Sequence, residues 1–377
     1  MSLVTRFWKK LSRFFPLILI ILVLKFIISY LVRIIFIDNS INFTASSLNL
    51  KALDSLQKIL INFSLELARN NHEIIFYNKI EKDKKEEGVS WKQIKNLKSD
   101  SSDILIAVQD IDLLEYKIKS KIKFLLLHYK IDNQINKDTL IKIFKQKICL
   151  LYTNNYVVNA LPKNYQYVPK VHLKIGVDKS FIESRNVGLN NSNVFVTTHP
   201  LKGIDWLVEL WLELIHHKLP WVELHIYSKL LGSNISTNNL KIRNIKLTLE
   251  LNKGTGICVK EPLPQEKFIS QLTQYKLHLC PSLDNDIQYL SILESQAFGV
   301  PVIARETATI YDCIYHNETG YIVKDKKTFA KRIIQVLSDN KLFLTLRNNS
   351  KLNNYIIPWE DVVKNFERKV SESTFYR

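Results

Sequence analysis

Four positions in this chain of 377 residues carry side chains whose type and place could do chemistry together. His128 closes an apolar run, Lys123 to His128, and Lys202-Gly203 follows another, Asn193 to Thr197. Asp286 and Glu294 bracket the start of a helix-like segment that comes after a third run, Leu277 to Cys280. In open α/β sheets, ligands gather beyond the carboxyl ends of the strands, which is where these residues fall. Backbone N–H groups at the helix start, near Leu290 and Ser291, attract phosphate, and a lysine across the cleft adds a compact cation for the same anion. An acid at the helix start and a second about two turns further in suit sugar hydroxyls and a ribose. Taken singly, each has a blander reading. A Lys-Gly pair is ordinarily a solvated helix start, a helical Glu a surface salt bridge, and a His at a strand end a satisfied structural residue.

The elements that must position these residues are legible as alternating strands and helices. Short β-branched apolar runs occur at Arg33–Asp38, Glu73–Tyr77, Asp103–Ala107, Lys123–His128 and Ile148–Tyr152. Between the first two, Leu53, Leu56, Ile59, Leu60, Phe63 and Leu67 recur at helical spacing. The alternation restarts with Asn193–Thr197, then a helix holding Trp206 and Trp211, whose spacing assigns them to the core. Glu223–Tyr227, Leu277–Cys280 and Pro301–Ala304 are further strands, the last two flanking a helix from about Ser291 to Phe298. The pattern predicts two doubly wound α/β domains in tandem, joined near Asp178 to Leu189, with parallel sheets covered on both faces. Residues 79–99, rich in Lys and Glu, are expected to form a solvated loop or helix.

Composition narrows the function classes. The sequence is 46% hydrophobic and 24% charged, which excludes disorder, collagen and a small disulfide scaffold. Lys plus Arg number 53 against 36 Asp plus Glu, a net +17, yet there is no zinc spacing, aromatic RNA-binding box or arginine-rich run, so no nucleic-acid partner is expected. Cys149, Cys258, Cys280 and Cys313 are far apart and form no CxxC, so they read as buried hydrophobes in a reducing compartment, and no metal site is expected.

Part of the charge is local. Arg6, Lys9, Lys10 and Arg13 share one helical face and Val4, Phe7, Trp8, Leu11 and Phe15 the other, a basic amphipathic pattern suited to an anionic bilayer surface. It runs into the apolar stretch from Phe14 to Val32, just long enough to cross a bilayer and interrupted by Lys25. Residues 1–32 are therefore expected to anchor the chain to a membrane, either spanning it or lying in its interface, with the active site on the cytosolic side.

Beyond these patterns the chain resembles the group 1 (family 4-like) glycosyltransferases. The stretch Asp286 to Ala304 is similar to their signature of an acid, seven residues, a Glu, a small-residue helix end and a Gly-x-Pro-Val-Ile strand. Gly176-Val177-Asp178-Lys179-Ser180-Phe181 resembles their interdomain segment, and Phe195 to Asp205 their strand, loop and Lys-Gly helix start. Asn317 to Val323 and Pro358 to Val363 resemble their late turn-and-strand and their returning helix.

The resemblance implies a GT-B fold: two tandem Rossmann-like domains facing a cleft, an acceptor domain at 33–187 and a nucleotide-sugar donor domain at 188–377. The last helix, about 358–372, would return to the first domain. It further implies a retaining, metal-independent glycosyltransferase that needs no cofactor and moves a sugar from a nucleotide-sugar donor to a glycan or lipid-linked acceptor. Lys202 would neutralise the donor diphosphate, with Gly203, Leu290 and Ser291 around it. Glu294 would hold the donor ribose, Asp286 the transferred sugar, and His128 would stand near the reacting sugar. Two departures are visible. The turn after the first strand, Asn39 to Thr44, has no Gly, the first in the chain being Gly88; and Thr197 and Thr198 stand where an Arg often precedes the phosphate-site Lys. They motivate an alternative, a catalytically weakened GT-B-like protein that binds nucleotide sugar or glycan without transfer.

Overall fold

The computed structural model describes residues 31–130, 136–184, 192–232, 235–283 and 289–372. The anchor expected at 1–32 lies outside the described residues but for its last two, and the expected domain junction at 187/188 lies outside them too. Among the described residues no helix is long and apolar enough to cross a membrane.

Two sheets organise the chain. The first holds β1 (Arg33–Ile37), β2 (Glu73–Asn78), β3 (Lys84–Glu86), β4 (Val89–Gln93), β5 (Asp100–Val108), β6 (Ile118–Leu127), β7 (Ile148–Tyr152) and β8 (Lys170–His172), in the order β3-β4-β2-β1-β5-β6-β7-β8. Every pairing is parallel except β3 with β4. Its strands read as continuous apolar runs because both faces are covered. Ile34, Phe36, Ile104 and Ile106 point into one core, and Ile35, Ile37, Leu105 and Ala107 into another.

The second sheet holds β9 (Asn193–Val196), β10 (Leu224–Tyr227), β11 (Ile257–Lys260), β12 (Tyr275–Cys280), β13 (Val302–Arg305) and β14 (Gly320–Val323). Its order is β11-β10-β9-β12-β13-β14 and all its pairings are parallel. That order reverses between β9 and β12, the switch point beyond which ligands bind in such sheets.

The helices that matter here are α1 (Ser47–Leu50) and α2 (Ser55–Arg69) between β1 and β2, α3 (Lys137–Lys145) and α4 (Asn155–Asn159) either side of β7, and α5 (Lys179–Ile182) after the first sheet. The second domain adds α6 (Ile204–Leu210), α7 (Leu240–Leu251), α8 (Gln265–Leu272), α9 (Tyr289–Phe298), α10 (Lys326–Ser338), α11 (Asn340–Lys351) and α12 (Trp359–Glu372). Trp211 is fully buried and Trp206 packs edge-on against Phe329, as their spacing predicted.

One expectation is corrected. Residues 79–99 do not form a solvated loop or helix; they contain the β3–β4 hairpin, which extends the first sheet beyond β2. The reason is the pair Val89 and Trp91, which alternate inward and are fully buried while the charges flank them, Trp91 stacking on Phe76 at 4.9 Å.

The last helix, α12, lies against the first domain. Phe366 meets Phe63 of α2 edge-on at 5.1 Å and Phe124 of β6 at 5.8 Å. Glu367 takes Asn70 Nδ2 and His72 Nε2, each at 2.9 Å. At the head of this helix Trp359 packs on Gly176, where a Cβ would come within 2.6 Å of the indole, so only glycine permits the approach.

Candidate donor site between the domains

Lys202 and Gly203 form the turn from β9 into α6, at the switch point of the second sheet. The Lys202 N–H donates to His199 O at 2.8 Å, and Gly203 adopts φ +95, a left-handed conformation. A Cβ on Gly203 would stand 2.5 Å from the Pro281 carbonyl oxygen, just past the end of β12. The turn after β9 is thereby pressed against the loop that leads toward α9. Burial, and then the neighbouring Lys202 charge, push the His199 imidazole below its ordinary range, with Asp54 opposing them. Asp54 directly precedes α2.

On α9, Leu290 is buried and Ser291 half-buried in the first turn. Further along, Ser295 Oγ bonds Ser291 O at 2.7 Å and lies 2.9 Å from His278 Nδ1. His278, fully buried on β12, stacks on Phe195 of β9 with centroids 4.4 Å apart. This chain of contacts fixes α9 against the ends of β9 and β12, so the helix start and Lys202 hold a set relation. Burial pushes the His278 imidazole down to about 3, keeping it a neutral structural residue.

Glu294 is 3% exposed and faces the other domain. Both its carboxylate oxygens take Lys58 Nζ of α2, at 2.9 and 3.0 Å. Burial pushes the Glu294 carboxyl above the ordinary carboxylate range, the Lys58 ammonium pulls against it, and Asp178 adds to the rise. Asp286 lies outside the described residues.

His128 ends β6 on the first domain's side. It is buried, with Nδ1 2.8 Å from Thr153 Oγ1 and its carbonyl accepting from Asn154 Nδ2 at 3.1 Å. Gln109 Oε1 accepts the backbone N–H groups of His128 and Tyr129. Burial lowers the His128 imidazole to about 4, so it is neutral at pH 7. Thr153 and Asn154 in turn line an interdomain cavity of about 210 Å³, together with His172, Tyr289, Leu293 and Tyr355. His128 thus stands behind the wall of that cavity, joined to it through Thr153.

The structure places Lys202 and Gly203 in the turn between β9 and α6, Leu290 and Ser291 in the first turn of α9 and Glu294 in its second, facing Lys58, and holds His128 on the opposing domain. It adds Lys58, which sequence reading passed over. The signal was present: Lys58 is the one charged residue between Ser55 and Leu65, in an otherwise apolar helical stretch. A different cluster, Glu223, His225 and Cys258, places one donor atom of each within 4.8 Å of the others at the amino ends of β10 and β11. Both His225 ring nitrogens are already engaged there, Nε2 with Glu223 and Nδ1 with Tyr275 Oη, each at 2.7 Å.

Residues 191–339, under half of the chain, match the glycosyl transferases group 1 family. Among solved structures, sucrose-phosphate synthase from Thermosynechococcus elongatus superposes with a TM-score of 0.68 at 13% identity, over 90% of this chain and 98% of that one. Anabaena HepE, in complex with UDP and glucose, superposes with a TM-score of 0.64 at 11% identity, over 91% of this chain and all of that one. In sequence, spinach (Spinacia oleracea) sucrose-phosphate synthase is 24% identical over 84 residues, 22% of this chain and only 8% of that relative's length. The fold is GT-B, and residues 191–339 are similar to the group 1 glycosyl transferases, as the segments Phe195 to Asp205, Asp286 to Ala304 and Asn317 to Val323 suggested.

Proposed function

We propose that the protein is a retaining glycosyltransferase that takes a nucleotide-sugar donor in the cleft between its domains and transfers the sugar to a glycan or lipid-linked acceptor. The observation that carries the reading is the fixed relation between the Lys202-Gly203 turn and α9 at the switch point of the second sheet. Charge develops on the diphosphate as the nucleotide leaves, and a fixed cation with helix-end amides stabilises it at little reorganisation cost. In this reading Lys202 takes the diphosphate with Gly203, Leu290 and Ser291 around it, Glu294 the ribose, and Asp286 the transferred sugar. His128 stands near the reacting sugar from the first domain. As a neutral, hydrogen-bonded imidazole it shapes and polarises that wall rather than carrying a charge. No metal and no cofactor are required. The complex of HepE with UDP and glucose makes a UDP-sugar the first donor to try.

Residues 1–32 would hold the enzyme at a membrane, with the cleft on the cytosolic side where amphiphilic acceptors lie. A donor-hydrolysis assay with UDP-, GDP- and ADP-sugars, following the anomer released by NMR, tests the reading; turnover with retained configuration is expected. One observation favours a second reading, a GT-B-like protein that binds nucleotide sugar without transfer: the turn from Asn39 to Thr44 contains no glycine. Donor binding by a folded protein that turns over none of the sugars would decide for that alternative.

A further inference from the structure

The Lys58–Glu294 pair joins residues 236 positions apart, one on each domain, with their side chains only 15% and 4% exposed. It is therefore an internal bolt across the cleft, not a surface ion pair. The ammonium also lies 5.7 Å from the centroid of the Phe181 ring, which helps to shield it from solvent. An ammonium has three donors and no acceptor, so it offers nothing to a ribose hydroxyl's proton; the carboxylate does. A ribose arriving at Glu294 must therefore share the carboxylate with Lys58 or displace it. A buried ammonium that loses its carboxylate needs another anion, because an unpaired buried charge is strongly disfavoured. A nucleoside diphosphate brings that anion with it, and a bare nucleoside does not. The lysine carries its ammonium on a flexible four-carbon stem, which can swing between two anions within its reach. Lys58 is the fourth residue of α2, and α2 packs against α9, the helix whose first turn is assigned to the diphosphate in that reading.

We propose that Lys58 is a donor-operated latch: it bolts the two domains through Glu294 when the cleft is empty, then releases the carboxylate to the ribose and takes the donor diphosphate. This rests on the donor-site reading above. It makes Lys58 a first-domain residue that selects for nucleotides carrying a diphosphate and couples their binding to the contact between the domains. It also supplies a second cation in a site where Thr197 and Thr198 offer none.

The experiment is a calorimetric titration of the full chain with UDP, GDP and ADP and with uridine, guanosine and adenosine, for the wild type, Lys58→Met and Lys58→Arg. The wild type is expected to prefer one diphosphate over its own nucleoside. Lys58→Met should narrow that preference at least tenfold, by weakening the diphosphate while the nucleoside binds as well or better. Lys58→Arg should keep most of it. Equal loss for both ligands, or no change in either, overturns the latch and leaves the donor site standing. A folded wild type that binds none of the six overturns the donor-site reading and the latch with it. If Lys58→Met does not fold, the double variant Lys58→Met/Glu294→Gln, which leaves no buried charge, is compared with Glu294→Gln, in which the Lys58 ammonium remains and meets a neutral amide. The double variant should show the narrower preference, and equal preferences overturn the latch.

Discussion

Gly203 and the carbonyl of Pro281 are in such close contact that a single methyl group on the glycine would sit 2.5 Å from the oxygen. That contact locks the Lys202 turn to the residue that follows β12. The backbone at Gly203 is also left-handed, at φ +95. Gly203→Ala should therefore cost on the order of 1–3 kcal/mol for the conformation alone, with the clash added. The expected outcome is a lower melting temperature and at least tenfold weaker nucleoside diphosphate binding. An alanine variant with unchanged melting and binding would show that the contact does not organise the site.

Lys202→Ala and Glu294→Ala are each expected to lower turnover tens-fold or more while the protein stays folded, because each removes a group assigned to the donor. They should differ in stability. Glu294→Ala leaves the Lys58 ammonium buried without its carboxylate, a change that costs about 3–5 kcal/mol when one partner of a buried pair is removed. Thermal melts of both variants, read beside their rates, separate the two effects.

Phe366 is 3% exposed and sits between Phe63 and Phe124. Phe366→Ala should open a cavity beneath the last helix and destabilise the protein by about 3–5 kcal/mol. Because α12 ties the end of the chain to the first domain, this variant is expected to show earlier proteolytic release of the C-terminal helix than wild type. Limited proteolysis followed by mass spectrometry checks it.

Burial lowers the His128 imidazole from 6.5 to about 4. A histidine kept neutral in the folded state binds its proton only in the unfolded one, between those two values. Its contribution is therefore intact above pH 6.5, declines as pH falls below that, and is gone by about pH 4, amounting to roughly 3 kcal/mol. Denaturant melts between pH 7 and 4 should show this loss, and His128→Asn should flatten the slope over that window. His278, lowered to about 3, extends the same behaviour further into acid.

Most of the fold could be read from residue type and period. The runs at 33–38, 73–77, 148–152 and 193–197 fall on β1, β2, β7 and β9, because strands buried on both faces are continuously apolar. The β3–β4 hairpin was missed because Lys82 to Glu87 is wholly charged and hides the buried pair Val89 and Trp91. The places of Lys202 after a strand and of Glu294 inside a later helix could be read from the alternation of elements. Lys58 stood out only as a lone charge in an apolar helix; its pairing was hidden, because its partner is 236 positions away and only the approach of the two domains makes the pair. No local pattern encodes that distance. The Gly203–Pro281 contact was hidden for the same reason, as a glycine before a helix has many uses and its neighbour across the sheet is unknown from sequence.

The central claim is that Lys202 and Glu294 act on one nucleotide-sugar donor. Calorimetric titration of the full chain with UDP, GDP and ADP, repeated on Lys202→Ala and Glu294→Ala, tests it most directly. One saturable site is expected for at least one of the three, weakened at least tenfold in each variant. A folded wild type that binds none of them, or variants that bind as tightly as wild type, would contradict it.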